Sequence, residues 1–391
     1  MLNDERCTRM RRAMEAQRID ALVLRLPENV LLLSGHWPMI GAAFLVFPRE
    51  GRAAIILPAC YQDEALASVA DCDTVFYPHG GFNDPAMLDI ARTLIQEHSG
   101  SNWARIGYEG DFETVAPSWN AGESLVPAIS TKAMLEQIFA GKKLVDVTGM
   151  ILTERARKTP YEIMRLGIVS EISCFGLEAF EEAVAVGISG VELAAIVEKA
   201  IMIKGTGYRE SVRVRAFAQV TTGARETAIA NRPNIISTAR RMGDGDFAVL
   251  ELGLVADGYW ADRTRVRVAG TPCDEQLRIY ETVRRAQEAA VASLRPGVRA
   301  KDADGAAREV IEEAGYGPLF PHITGHGLGF GYHEPLPILG PQSEQVLEEG
   351  MLTSVEPGIY SKQYGGVRIE DDVVITSDGP LVLGPFRKSC T

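Results

Sequence analysis

Four carboxylates and one histidine in the last third of the chain, Glu251, Asp262, His326, Glu356 and Glu370, are of the types and in the surroundings that suit a metal cage. They lie in FAVLELGLVADGYWADRTRVRV, HITGHGLGFGYHEPLPI, MLTSVEPGIY and GVRIEDDVVIT, each on an expected strand or turn with glycine close by. Four acids converging in a folded interior would repel one another and lose their hydration unless cations balanced them, so convergence implies metal. The chemistry expected of such a site is metal-dependent hydrolysis.

Two hairpins would position these acids. Asp257-Gly258 is a strong two-residue turn signal. Folding there sets Glu251 opposite Thr264 and Asp262 opposite Gly253, with the two acids diagonal neighbours on one face, roughly 7–8 Å apart. A longer loop centred near Gln363 sets Glu356 across from Glu370. His326, among Gly325, Gly327 and Gly329, offers nitrogen where backbone can approach closely. A weak internal repeat underlies the pair of hairpins: AVAVGISG, GVELAAIVEKAIMIKG and TGY are echoed by AAVASLRPGV, KDADGAAREVIEEAG and YG. Each copy leads into paired strands carrying two acids, so a pseudo-twofold would bring both pairs to one cleft.

The rest of the chain sets outer limits. Its 391 residues are 46% hydrophobic and 24% charged, enough for a full core and, by length, two domains. A net charge of −12 with no long Lys/Arg run excludes a nucleic-acid partner. The N-terminus MLNDERCTRMRRAMEAQRIDALVL has no signal-peptide apolar core, and no apolar run is long enough for a membrane span. Six cysteines without C-x-x-C spacing fit reduced thiols, and the cytoplasm is the expected location. Residues 1–150 alternate helix (CTRMRRAMEAQ, DPAMLDIARTLIQEH, STKAMLEQIFAG) and strand (IDALVL, AAFLVFP, RAAIILP, DTVFYP, ARIGYE, SLVPAI), an α/β domain without a catalytic cluster. The polar stretch TERARKTPYE then leads into a long helix starting near Pro160, and 151–391 form the second domain.

These residues resemble the pita-bread metallopeptidases, which include prolidase, aminopeptidase P and methionine aminopeptidase, with creatinase as a non-peptidase relative. IDALVLRLPENVLLLSG matches the usual opening of a creatinase-like N-terminal domain, and GHGLG followed by HEP, VEPGIY and GVRIEDDVVIT form the family's ordered series. The resemblance implies an α/β creatinase-like domain followed by an α+β pita-bread domain with its pseudo-twofold, and a homodimer. It implies that Asp262 and Glu370 bridge two metal ions, that His326 and Glu356 complete one, and that Glu251 holds the other. It also implies action on a small peptide, as an Xaa-Pro dipeptidase or aminopeptidase, or on a small amide-type metabolite, as in creatinase and ectoine hydrolase. A non-catalytic binding use of the fold is the remaining alternative. Two positions depart from the family pattern: its first ligand is aspartate in a D-x-G strand, where this chain has Glu251 in ELG. The family histidine in the segment matching TTGARETAIANRPN is replaced by Ala230 and Asn231.

Oxygen-rich ligation with one imidazole suits Mn²⁺, Fe²⁺, Co²⁺ or Zn²⁺, with manganese the first choice and one or two ions per chain. Water on such an ion is acidified from a pKa of roughly 15.7 towards about 7 and becomes the nucleophile. Glu356 is the expected proton acceptor and His333 the expected donor to the oxyanion. Arg368, two residues before Glu370 on a strand, shares its face and would orient a ligand or a substrate carboxylate. Thr264 is the expected hydrogen-bond partner of Asp262. His36 and Trp37 read as an ordinary loop of the first domain, and His79, His98 and His322 carry no supporting context.

Overall fold

The computed structural model describes residues 4–38, 43–63, 72–78, 85–110, 129–232 and 236–391. The chain divides into two compact units, the first ending at Arg155 and the second carried by Ala156–Thr391. His79 and the expected strand SLVPAI lie outside the described residues, except for Ile129, which begins the helix Ile129–Ile138.

In the first unit six strands form one sheet, in the order Cys72–Tyr77, Ala53–Pro58, Phe44–Pro48, Ala21–Leu24, Arg105–Tyr108, Lys143–Asp146. The central strands are apolar throughout because helices cover them: Asp4–Ala16 buries Met10 and Met14, and Val23, Val46, Ile56, Ile106 and Leu135 meet in the core. Among the described residues of this unit two acids, Glu109 and Glu154, are buried. Glu109 accepts hydrogen bonds from the backbone N–H of Arg25 and Leu26 and from Asn29 Nδ2, and so fixes the start of the helix Pro27–Ser34. Burial nevertheless pushes its carboxyl up to about 7.

The helix expected near Pro160 spans Pro160–Ala183. Pro160 fills its first turn, and Thr159 and Glu162 close a capping box around its N-terminus. The first part of the polar stretch before it is helical as well, ending the helix Thr148–Ala156. Arg155 explains why a polar sequence is tolerated there, since its guanidinium is buried on Asn29.

The second unit repeats one plan. Helices Pro160–Ala183 and Gly190–Gly205 precede the antiparallel sheet Val214–Thr222, Asp246–Ala256, Tyr259–Ala269. Helices Asp274–Ser293 and Ala300–Glu313 precede a five-stranded sheet in the order Glu334–Leu339, Gly325–Gly327, Leu352–Val355, Asp371–Thr376, Gly379–Val382, with the pair Gly358–Ser361 and Gly365–Arg368 beside it. The halves meet at a bridge between Thr264 and Glu370. Asp371, next to that bridge, pins the junction by accepting from both buried arginines of the strand Tyr259–Ala269, Arg263 and Arg265. No helix among the described residues is long and apolar enough to cross a membrane.

Candidate metal centre

Turn chemistry places the first two acids. Asp257 and Gly258 both take positive φ, at 51° and 89°, as a two-residue turn between twisted strands requires. The ladder that follows sets Glu251 opposite Thr264 and Gly253 opposite Asp262. Gly253 leaves room for an aromatic ring: a Cβ there would lie 2.2 Å from Phe217. Phe217 meets Tyr332 edge-on at 4.8 Å, and the Tyr332 hydroxyl ends between the acids, donating to Glu251 Oε1 or to Asp262 Oδ1, the latter at 3.0 Å.

One register places the other two. Val355 faces Asp371 in one ladder and Gly358 faces Arg368 in the next, so Glu356 and Glu370 occupy the gap between ladders, facing each other. His326 comes from the short strand Gly325–Gly327, pressed between neighbours on both sides. Added Cβ atoms at Gly325 and Gly327 would each sit 1.9 Å from a backbone carbonyl oxygen, of Ser354 and Leu336. Those glycines let the strand come close enough to bring the imidazole to the acids.

The hydrogen bonds assign His326 a direction. Its Nδ1 lies 2.9 Å from Gly327 O, and a carbonyl only accepts, so Nδ1 carries the hydrogen. Nε2 is then the nitrogen aimed at Glu356 Oε1 at 3.3 Å and Asp262 Oδ2 at 3.6 Å, carrying a proton between the two acids when no cation is there and a lone pair when a cation takes the proton's place. Ser354 Oγ fixes the pair further, accepting from His326 N and donating to Glu356 Oε1, both at 3.1 Å. Glu370 Oε2 accepts from Thr264 Oγ1 at 2.6 Å, while its Oε1 is buried with no hydrogen-bond partner among the described residues.

The charges do not settle without a cation. Burial raises Asp262 to about 6 against the pull of His326, and burial with the charges of Asp262 and Glu356 holds Glu370 well above the carboxylate range. Burial alone would lower His326, but its bonds to Asp262 and Glu356 outweigh that and raise it strongly. Burial likewise opposes ionisation of Glu356, and His326 outweighs it, keeping that carboxyl low. Donor atoms of three overlapping groups, Asp262–His326–His333, His326–Glu356–Glu370 and Glu251–Asp262–Glu370, each fall within 4.8 Å of one another. An orphaned carboxylate oxygen, a lone pair aimed inward and an excess of acids fit a hard or borderline divalent ion.

The side chains expected around the ligands are present, with one correction. Arg368 is buried and fully engaged: Nε donates to Thr264 Oγ1 at 3.0 Å, one terminal nitrogen to Ala230 O at 3.0 Å and Tyr360 Oη at 3.2 Å, and the other pairs with Glu251. The Thr264 hydroxyl gives its one hydrogen to Glu370 at 2.6 Å rather than to Asp262, with Glu251 Oε2 3.3 Å away. The bridge from Thr264 to Glu370 brings the second half's acid nearer than the neighbour on its own strand. His333 stacks on His326 with ring centres 4.2 Å apart, and burial, then the His326 charge, lower it to about 3, so it is a neutral imidazole.

Three side chains at the centre were not legible in the sequence. Tyr332 has been described. His322, buried and pushed down by burial, gives its Nδ1 hydrogen to Ile323 O and accepts from Tyr360 at 2.9 Å, which places it behind Arg368. Tyr360 links the two. His36 and His98 lie in the first unit, against Tyr61 and Leu94 O respectively.

Comparison with known proteins agrees with this architecture. Residues 6–157 match the creatinase/prolidase N-terminal domain and residues 165–377 match metallopeptidase family M24. The chain is 31% identical to an Xaa-Pro dipeptidase of Pyrococcus furiosus over 375 residues, 96% of each protein. It is 35% identical to an Xaa-Pro dipeptidase of Lactobacillus helveticus over 60% of this chain and 61% of that one. Among solved structures, the prolidase of Pyrococcus horikoshii OT3 superposes with a TM-score of 0.80 at 27% identity, covering 99% of this chain and all (100%) of that one. The X-Pro aminopeptidase of Thermotoga maritima MSB8 gives 0.80 at 25% identity, covering 97% and 99%. The chain therefore belongs to metallopeptidase family M24 and has the pita-bread fold behind a creatinase-type N-terminal domain.

Proposed function

We propose that this enzyme hydrolyses the peptide bond before proline in dipeptides, at a divalent metal centre held by Asp262, His326, Glu356 and Glu370. The observation that carries this reading is the convergence of those four side chains with Glu370 Oε1 left without a hydrogen-bond partner among the described residues. Glu251, with Asp262 and Glu370, borders a second position. Manganese is the metal to supply first, a homodimer the expected assembly and the cytoplasm the expected compartment.

Bound there, a divalent ion polarises the scissile carbonyl and acidifies a water molecule. The protein's own groups do the rest. Glu356, kept ionised by His326 and with its side chain 15% exposed, takes the proton of the attacking water and passes it to the leaving proline nitrogen. Neutral His333, stacked on His326, donates a hydrogen bond to the oxygen that becomes negative as the carbonyl carbon turns tetrahedral. Water adds to the carbonyl carbon, the C–N bond breaks, and the products are an amino acid and proline.

A panel of Xaa-Pro dipeptides, assayed with Mn²⁺ on wild type and Glu356→Gln, tests the proposal. Turnover by wild type that falls at least about 100-fold in the variant is expected. No turnover of any dipeptide would overturn the substrate assignment. Ala230, standing where the family carries a histidine, favours one second reading, hydrolysis of a small amide-type metabolite that needs no such contact. Turnover of cyclic amides or amidines but not dipeptides would select it.

A further inference from the structure

We propose that Tyr332 and Arg368 close the Glu251 end of the centre, so that the chain holds one tightly bound divalent ion, on the His326 side, and Glu251 anchors Arg368 rather than ligating. This rests on the metal-centre reading above and specifies how that centre is filled.

Both oxygens of Glu251 are already engaged. Oε1 accepts from the Tyr332 hydroxyl, and Oε2 pairs with the Arg368 guanidinium. Neither partner is loosely held. Arg368 has three further acceptors, Thr264 Oγ1, Ala230 O and Tyr360 Oη, and is only 5% exposed. The Tyr332 ring lies against Phe217 at 4.8 Å, Trp260 at 5.9 Å and His333 at 4.4 Å. An ion between Glu251 and Asp262 would have to displace a phenol seated between them and settle beside a fixed guanidinium, which repels it.

The opposite end offers what this one lacks. Glu370 Oε1 has no hydrogen-bond partner among the described residues, and His326 Nε2 presents a lone pair. Among the described residues, Arg368 Nε stands 3.8 Å from Glu356 Oε2, beyond hydrogen-bond reach, and His326 Nε2 stands 3.6 Å from Asp262 Oδ2. Open donor atoms are therefore gathered around His326, while closed ones are gathered around Glu251. Glutamate extends one methylene beyond aspartate, and in this chain that extra reach ends on Arg368 and Tyr332.

Chelator-treated full-length protein dialysed against graded manganese chloride, with metal per chain read by mass spectrometry and affinity by calorimetry, tests this. Wild type is expected to take one ion in its tight step. Glu251→Gln, whose amide oxygen still accepts from Arg368 and whose NH2 can donate to the Tyr332 oxygen, is expected to keep that ion with affinity changed less than about tenfold, whereas Glu370→Gln loses at least about 100-fold. Two ions of similar affinity in wild type, a count that needs no variant, would overturn the proposal. So would loss of the ion in Glu251→Gln. Wild type that takes up no manganese would instead remove the metal-centre reading itself, and this proposal with it.

Discussion

Replacing Asp371 by asparagine would keep the shape of that side chain and remove its charge at the junction of the two halves. One carboxylate oxygen accepts from Arg263 at 2.9 Å and Arg265 at 2.6 Å, and the other from Gln287 at 3.2 Å with Lys388 Nζ at 3.1 Å. Both arginine side chains are essentially sealed from solvent, at 0% and 2% exposure. Burial alone would raise the Asp371 carboxyl, but Arg265, Arg263 and Lys388 together pull it well below the usual carboxylate range. Removing one member of a buried ion group leaves the other charges uncompensated, at a cost of about 3–5 kcal/mol. Lys388, with its side chain 20% exposed, is partly screened, so Lys388→Met should cost about 1 kcal/mol or less. Urea unfolding of the full chain with chelator present, so that metal does not stabilise one variant over another, would read both. The sign with pH follows from the depressed value. The Asp371 contribution is complete above the unfolded carboxylate pKa of about 4 and is lost as pH falls through the lower folded value. The deficit of the asparagine variant should therefore be constant near neutral pH and shrink only in strong acid. A loss under about 1 kcal/mol, or a Lys388→Met loss equal to it, would refute the account of Asp371 as the pin of the junction.

Metal removal should lower the thermal midpoint of wild type, and added manganese should restore it by about 2.7 kcal/mol at one hundred times its dissociation constant. A midpoint indifferent to manganese concentration would contradict the fit of the site to a cation. In the first unit, Glu109 is raised to about 7 by burial, so its folded form holds its proton more tightly than the unfolded chain does. That contribution is full below about pH 4, is lost as pH rises through the folded value, and amounts to about 3 kcal/mol. Glu109→Gln should flatten this slope in a pH series of unfolding midpoints, and an unchanged slope would rule Glu109 out as its source.

Short-range geometry was legible in the sequence and contacts between the halves were not. The register that sets Glu251 opposite Thr264 follows from one two-residue turn, because a slip by a single residue would turn the acids to the other face. Pro160 likewise announces a helix start, around which Thr159 and Glu162 close a capping box. Tyr332, Tyr360 and His322 gave no such signal. Tyr332 acquires its role only when the second half meets the first, as does the Thr264 hydroxyl, whose choice of Glu370 over Asp262 depends on the bridge between halves, while His322 and Tyr360 meet within the second half, far apart along the chain. The two departures from the family pattern illustrate the difference. Read along the chain, glutamate at 251 and alanine at 230 are separate losses. In space both end on one side chain, since Arg368 pairs with the Glu251 carboxylate and donates to the Ala230 carbonyl. The contact at 251 is made by the side chain and depends on the acid there, whereas the contact at 230 is made by a backbone carbonyl that any residue would supply, so only the first departure acts through Arg368.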